Sequence, residues 1–166
     1  MKLLIFLVLL CFSGVSAAES FTGRVVRVLD GDTLDVIDSS LANARSGSPV
    51  RVRLLNIDAP ERKQAYGRWS AQQLKDLLNT DTVSIEFVSK DRYGRVLGRV
   101  YSNGNEINRA MVEAGAAWVY EFYNSDKDLP GIQEQARKER RGLWGDIDPI
   151  APWVWRHSQR TQANIP

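Results

Sequence analysis

Five short segments of this chain alternate apolar with polar residues, and a single helical stretch falls between the third and the fourth. In "TGRVVRVLDGDTLDVID", Val26 and Val28 alternate with Arg27, and Leu34 and Val36 with Asp35. Asp30-Gly31 supplies a turn signal between them, so the segment reads as a β-hairpin. The polar, Gly- and Pro-bearing "SSLANARSGSP" reads as a surface loop. Then "VRVRLL" puts Val52 and Leu54 on one face and Arg51 and Arg53 on the other. After Pro60, "YGRWSAQQLKDLLN" carries Ala71, Leu74 and Leu78 on one helical stripe. "TVSIEFV" and "RVLGRVY" are two more alternating strands. "INRAMVEAG" is a helix with Ile107, Ala110, Met111 and Ala114 at helical spacing and Gly115 as its stop signal. "LPGIQEQARKERRGLW" is a last helix, opened by Pro130 and closed near Gly142. The order predicts an α+β, mainly β, domain: a five-stranded oligonucleotide-binding (OB) barrel with three α-helices.

The ends of the chain read differently. "MKLLIFLVLLCFSGVSAAES" runs from one lysine through an apolar block to small residues, the anatomy of a secretory signal peptide over residues 1–18. The block from Leu3 to Phe12 is shorter than the about 20 residues that a spanning helix needs. Cleavage near Ala17 or Ala18 is expected, with export to the periplasm or the medium and no stable membrane association afterwards. The domain then occupies residues 19–148. Residues 149–166 form a tail whose Trp153 and Trp155 dock on the barrel or serve as an aromatic platform for a surface, and whose last residues fray.

Cleavage would remove the only cysteine and leave one histidine, His157. Disulfides, thiolate chemistry, zinc sites and two-histidine mechanisms are thereby excluded. The mature chain would hold 21 basic against 20 acidic residues, so polyanion binding requires clustering of charge. Such clusters lie at strand ends. Asp32 sits in the first hairpin, Arg53 on the third strand's polar face, and Asp58 and Glu61 flank Pro60, which ends the strand. Three carboxylates held together repel one another unless a cation sits among them, and all-oxygen ligation suits a hard ion such as Ca²⁺.

"VLDGDT" (28–33), "RLLNIDAPE" (53–61) and "DRYGR" (91–95), with "NRAMVEAG" and "ARKERRGLW" more loosely, resemble the staphylococcal nuclease family in motif and in order. The resemblance implies a Ca²⁺-dependent phosphodiesterase that acts on DNA and RNA and leaves 3′-phosphate ends. It implies Asp32, Asp58 and the backbone carbonyl of Ala59 as metal ligands, and Glu61 as the carboxylate that readies the attacking water. It further implies Arg53 and Arg95 as the arginines on the scissile phosphate. Arg92, Tyr93 and Tyr123 would contact the nucleotide, with Tyr120 a rival for the place of Tyr123. A non-catalytic nucleic-acid-binding OB domain is the alternative. A monomer is expected, because no long exposed apolar stripe is apparent. The basic run "ARKERRG" reads as the solvated side of its helix, with a phosphate-tracking face as the alternative.

Overall fold

A computed structural model describes residues 19–40 and 47–163. The leader expected over residues 1–18 lies outside the described residues, as do 41–46 and 164–166. The elements run β1 (Ser20–Val28), β2 (Thr33–Asp38), β3 (Val50–Leu54), the two-residue β4 (Ile57–Asp58), α1 (Gly67–Leu78), β5 (Thr82–Lys90), β6 (Val96–Ser102) and β7 (Asn105–Glu106). α2 (Ile107–Glu113), β8 (Trp118–Val119), α3 (Leu129–Lys138), a 3₁₀ turn (Gly142–Gly145) and α4 (Pro152–Ala163) follow.

The main sheet has the order β3-β2-β1-β5-β6-β7, and β3 also pairs with β6 in parallel, Val52 opposite Val96 and Leu54 opposite Gly98. That last pairing closes the five long strands into a mixed barrel and leaves no open edge between β3 and β6. Leu34, Val36, Val52, Leu54, Val83, Ile85 and Val100 fill it and are almost fully buried. Each such side chain contributes about 1.5–3 kcal/mol through burial. Leu74 and Leu78 from α1 and Ile107 and Met111 from α2 belong to the same core.

The alternation holds in β2 and β3 and slips in β1. A bulge between Val25 and Arg27 breaks the register with β2, so Val25 and Val28 pack on the core and Val26 is exposed, and the alternation of Val26 and Val28 with Arg27 does not keep both valines on one face. In α1, Ser70 rather than Ala71 is buried, because its hydroxyl donates to the Ala116 carbonyl at 2.7 Å. α2 ends as its sequence predicts: Gly115 takes φ +67°, with Ala116 N donating to Met111 O and Gly115 N to Val112 O. α3 closes with the same pair of bonds earlier than expected. Arg140, not Gly142, takes the left-handed position there, at φ +54°.

The larger departure is the tail. Residues expected to fray form a fourth helix, α4, through Ala163. Trp153 explains it: its ring lies 5.6 Å from those of Trp118 and Tyr120 and 6.1 Å from that of Phe122. Gln64 Nε2 also donates to the Ile150 carbonyl at 2.6 Å, fixing the approach to the helix. α3 is therefore not the last helix, and its Arg137 stacks on Trp144 at 4.3 Å instead of facing only solvent.

Candidate active site

The β1–β2 connection is a four-residue loop closed by Leu29 N donating to Thr33 O at 2.9 Å. Gly31 serves packing here, not a two-residue turn. A Cβ on it would collide with Ser70 Oγ and lie 2.8 Å from the Ala59 Cβ. The loop thus lies flat on α1 and on the segment after β4, which buries Asp32. One Asp32 oxygen accepts from Thr33 Oγ1 and the other from the Ala59 amide, each at 2.8 Å.

Asp58 reaches the same place from β4. Asn56, at φ +68°, reverses the chain after β3, a conformation asparagine tolerates well. Tyr120 N donates to its carbonyl and Ser125 N to its side-chain oxygen, and Ile57 and Asp58 then pair with Val119 and Trp118. Asp58 is left 1% exposed. Arg53 lies opposite Thr33 in the β2–β3 ladder, which sets its guanidinium beside Asp32. Its Nη2 is 2.7 Å from Asp58 Oδ1 and 3.3 Å from Asp32 Oδ2, and Nη1 donates to the Ile57 carbonyl at 2.8 Å. Burial raises the Asp58 carboxyl above its ordinary value against the pull of Arg156 and Arg53. Burial and then the neighbouring Asp32 push Asp30, on the same loop, up to about 7.

Glu61 follows Pro60 and is half-buried. It meets a partner that the sequence reading did not foresee: Arg156 of α4 sets Nη1 2.9 Å from Glu61 Oε1 and Nη2 2.7 Å from Asp58 Oδ2. Burial works against this charge, but the two carboxylates hold the guanidinium well above its ordinary pKa. The three expected carboxylates are thus drawn together through arginines. Arg53 joins Asp32 to Asp58, and Arg156 joins Asp58 to Glu61. Among the described residues, no three His, Cys, Asp or Glu side chains form a ready metal cluster.

The β5–β6 loop also lines the cleft. Arg95 is braced by Asp91 through Nε at 2.7 Å, and its two terminal nitrogens have no partner among the described residues. Arg92 and Arg95 lie over the Tyr93 ring, at 4.8 and 5.6 Å. Tyr120 and Tyr123 both reach the cleft. The Tyr120 ring lies 6.0 Å from Arg53 Cζ, while Tyr123 stands 73% exposed. One cleft of about 720 Å³ is lined by every expected site residue and also by Asp30, Tyr120, Trp153 and Arg156. The paired aspartates of "DGD" could have flagged Asp30. No local pattern ties Arg156 to a glutamate 95 positions away.

An oxygen-only donor set suits a hard divalent cation. The fit is supported by the acids already gathering a cationic group, since the Arg156 guanidinium occupies the space between Asp58 and Glu61. Asp32, Asp58 and the Ala59 carbonyl are the residues that would hold such an ion.

Comparison with known proteins places the chain among relatives of one family. The family model described as "Staphylococcal nuclease homologue" matches residues 51–146. An "Uncharacterized endonuclease" of Escherichia coli is 54% identical over 152 residues, 91% of this chain and 95% of that protein. The "Micrococcal nuclease" of Shigella flexneri is 40% identical over 161 residues, 90% of this chain and 88% of its own. "Staphylococcal-like nuclease CAN1" of Arabidopsis thaliana is 36% identical over 110 residues, which is 66% of this chain and 34% of that longer protein. With a family model that matches more than half of the chain and relatives of this identity and coverage, the chain belongs to the staphylococcal nuclease family.

Proposed function

We propose that this protein is an exported, Ca²⁺-dependent nuclease that hydrolyses phosphodiester bonds in DNA and RNA and leaves 3′-phosphate ends. The observation that carries the reading is the convergence of Asp32, Asp58, Glu61, Arg53 and Arg95 from four separate segments on one cleft.

The reaction requires positive charge aimed at a phosphorus that becomes five-coordinate, and a carboxylate for water. Bound between Asp32, Asp58 and the Ala59 carbonyl, the ion would act as a Lewis acid on a phosphate oxygen. Arg95 offers its free terminal N–H groups to the equatorial oxygens. Arg53 neutralises the buried aspartates and can turn a donor to the phosphate as its own contacts loosen. Glu61 has one oxygen engaged by Arg156 and the other without a partner among the described residues, so it can accept a proton from water. The water oxygen bonds to phosphorus, the bond to the 5′ oxygen breaks, and solvent returns a proton to that oxygen. The products are a 3′-phosphate and a 5′-hydroxyl. Arg92 and Tyr93 hold the nucleotide beside the reacting phosphate, and Tyr123 or Tyr120 stacks near its base.

Export rests on the apolar leader. Among the described residues, no helix is long and apolar enough to cross a membrane. Mass spectrometry of the mature protein tests the cleavage near Ala17 or Ala18, and light scattering tests the monomer.

The decisive experiment is hydrolysis of denatured DNA and of RNA with Ca²⁺, with EDTA and with Glu61→Gln. Loss of a general base should lower kcat about 10²- to 10⁴-fold. A folded protein that binds nucleic acid and cuts it under no divalent ion would replace the enzyme with the binding-domain alternative.

A further inference from the structure

α4 lies wholly outside the family match, which ends at residue 146. It turns one stripe to the cleft: Trp153, Arg156, His157 and Arg160, at helical spacing i, i+3, i+4 and i+7. Trp153 fixes the rotation of the stripe by packing against Tyr120 and Trp118. Arg156 closes on the acids, whereas His157 and Arg160 are exposed, and Arg160 makes no ion pair among the described residues.

A polymeric substrate has phosphates on both sides of the one being cut. The barrel lines this cleft with three basic residues, Arg53, Arg92 and Arg95, two of them on the β5–β6 loop. The other basic residues lining it all come from α4. Arg156 and Arg160 stand one helical turn apart, about 6 Å along the axis, a separation comparable to that of successive phosphates in a strand.

We propose that α4 is a substrate-binding wall. Its Arg160, with His157 beside it, holds a phosphate of the strand flanking the scissile one. Arg156 marks where that track enters the acidic centre. A helix beyond the family domain would thereby set affinity for longer strands without touching the reacting phosphorus. The inference rests on the nuclease reading and extends it to a substrate contact.

The test is fluorescence anisotropy of a labelled single-stranded oligonucleotide of about 10 nucleotides, a length typical for one OB fold. The full-length mature protein is used, in EDTA so that nothing is cut, over a series of salt concentrations. Arg160→Gln should weaken binding several-fold at low salt. It should also reduce the slope of log K against log salt by about 0.7, the value for one lost single-strand phosphate contact. Arg160→Glu should weaken binding further. Arg24→Gln, an exposed change outside the cleft, should do neither. In turnover with Ca²⁺, Arg160→Gln should raise KM for the oligonucleotide and leave kcat unchanged. Wild-type affinity and slope in both Arg160 variants would overturn the inference while wild-type cleavage kept the nuclease reading standing. A wild-type protein that neither binds nor cuts would overturn both.

Discussion

Arg156→Gln should make the protein bind Ca²⁺ more tightly. The guanidinium and a divalent ion want the same oxygens, because Nη2 sits 2.7 Å and Nη1 3.2 Å from the two carboxylate oxygens of Asp58. The second contact, to Glu61 at 2.9 Å, involves a side chain 35% exposed and is partly screened. A charged hydrogen bond to a buried acid contributes about 1.5–3 kcal/mol, and an exposed pair adds less than about 1. Taking about 2 kcal/mol for the contact as a whole, the closed form outweighs the open one about 30-fold, and the apparent Kd for the ion is raised by the same factor. Glutamine keeps part of the stem and removes the charge, and Arg53 still braces Asp58, so the site is not stripped. Isothermal titration of the two mature proteins with CaCl₂ at one ionic strength reads the difference directly. An unchanged Kd would show that Arg156 does not compete. A weaker one would show that it holds Asp58 and Glu61 in the arrangement the ion requires.

Two further outcomes follow from packing and charge. Gly31→Ala should destabilise the fold by about 1–3 kcal/mol, as overpacking against Ser70 and Ala59 forces the loop off α1. It should weaken Ca²⁺ binding too, because Asp32 rides on that loop; a wild-type melting temperature and Kd would refute the packing role. Asp35 lies opposite Arg51 on one side and Arg27 on the other, and the hydrogen bond from Arg51 chiefly, against burial, holds its carboxyl below the ordinary 3.8. A depressed pKa means stability that is present above 3.8 and lost as pH falls through the folded value. Asp35→Asn should therefore cost about 1 kcal/mol at pH 7, kept small because both arginines are largely exposed. The cost should shrink toward zero in urea melts run well below pH 3.8, and a pH-independent cost would refute the ion-pair account.

How much of this was legible in the chain depended on the range of the interaction involved. Val52, Leu54, Leu34 and Val36 announce a barrel because period-2 burial is a local property of a strand. Asp32, Arg53, Asp58 and Glu61 stand at strand ends for local reasons too: Pro60 and Asn56 stop and turn the chain just there. Val26 misled because a bulge is decided by the fit of two strands, not by either alone. α4 stayed hidden for a stronger reason. "PWVWRHSQRTQA" has three adjacent apolar residues, Trp153 to Trp155, and then no other before Ala163, so its helical face appears only once Trp118, Tyr120 and Phe122 are seen to receive Trp153. Arg156, which that docking delivers to Asp58 and Glu61, was invisible with it. The consequence is a site in which the acids that would hold a cation are already joined to arginines, one from β3 and one from α4. In such a site each acid has an arginine partner before anything binds. A divalent ion has to take Asp58 from Arg156, and an arginine set free beside the cleft is then a group for phosphate. Ion and strand should favour each other's binding for that reason, since each satisfies the charge that the other displaces.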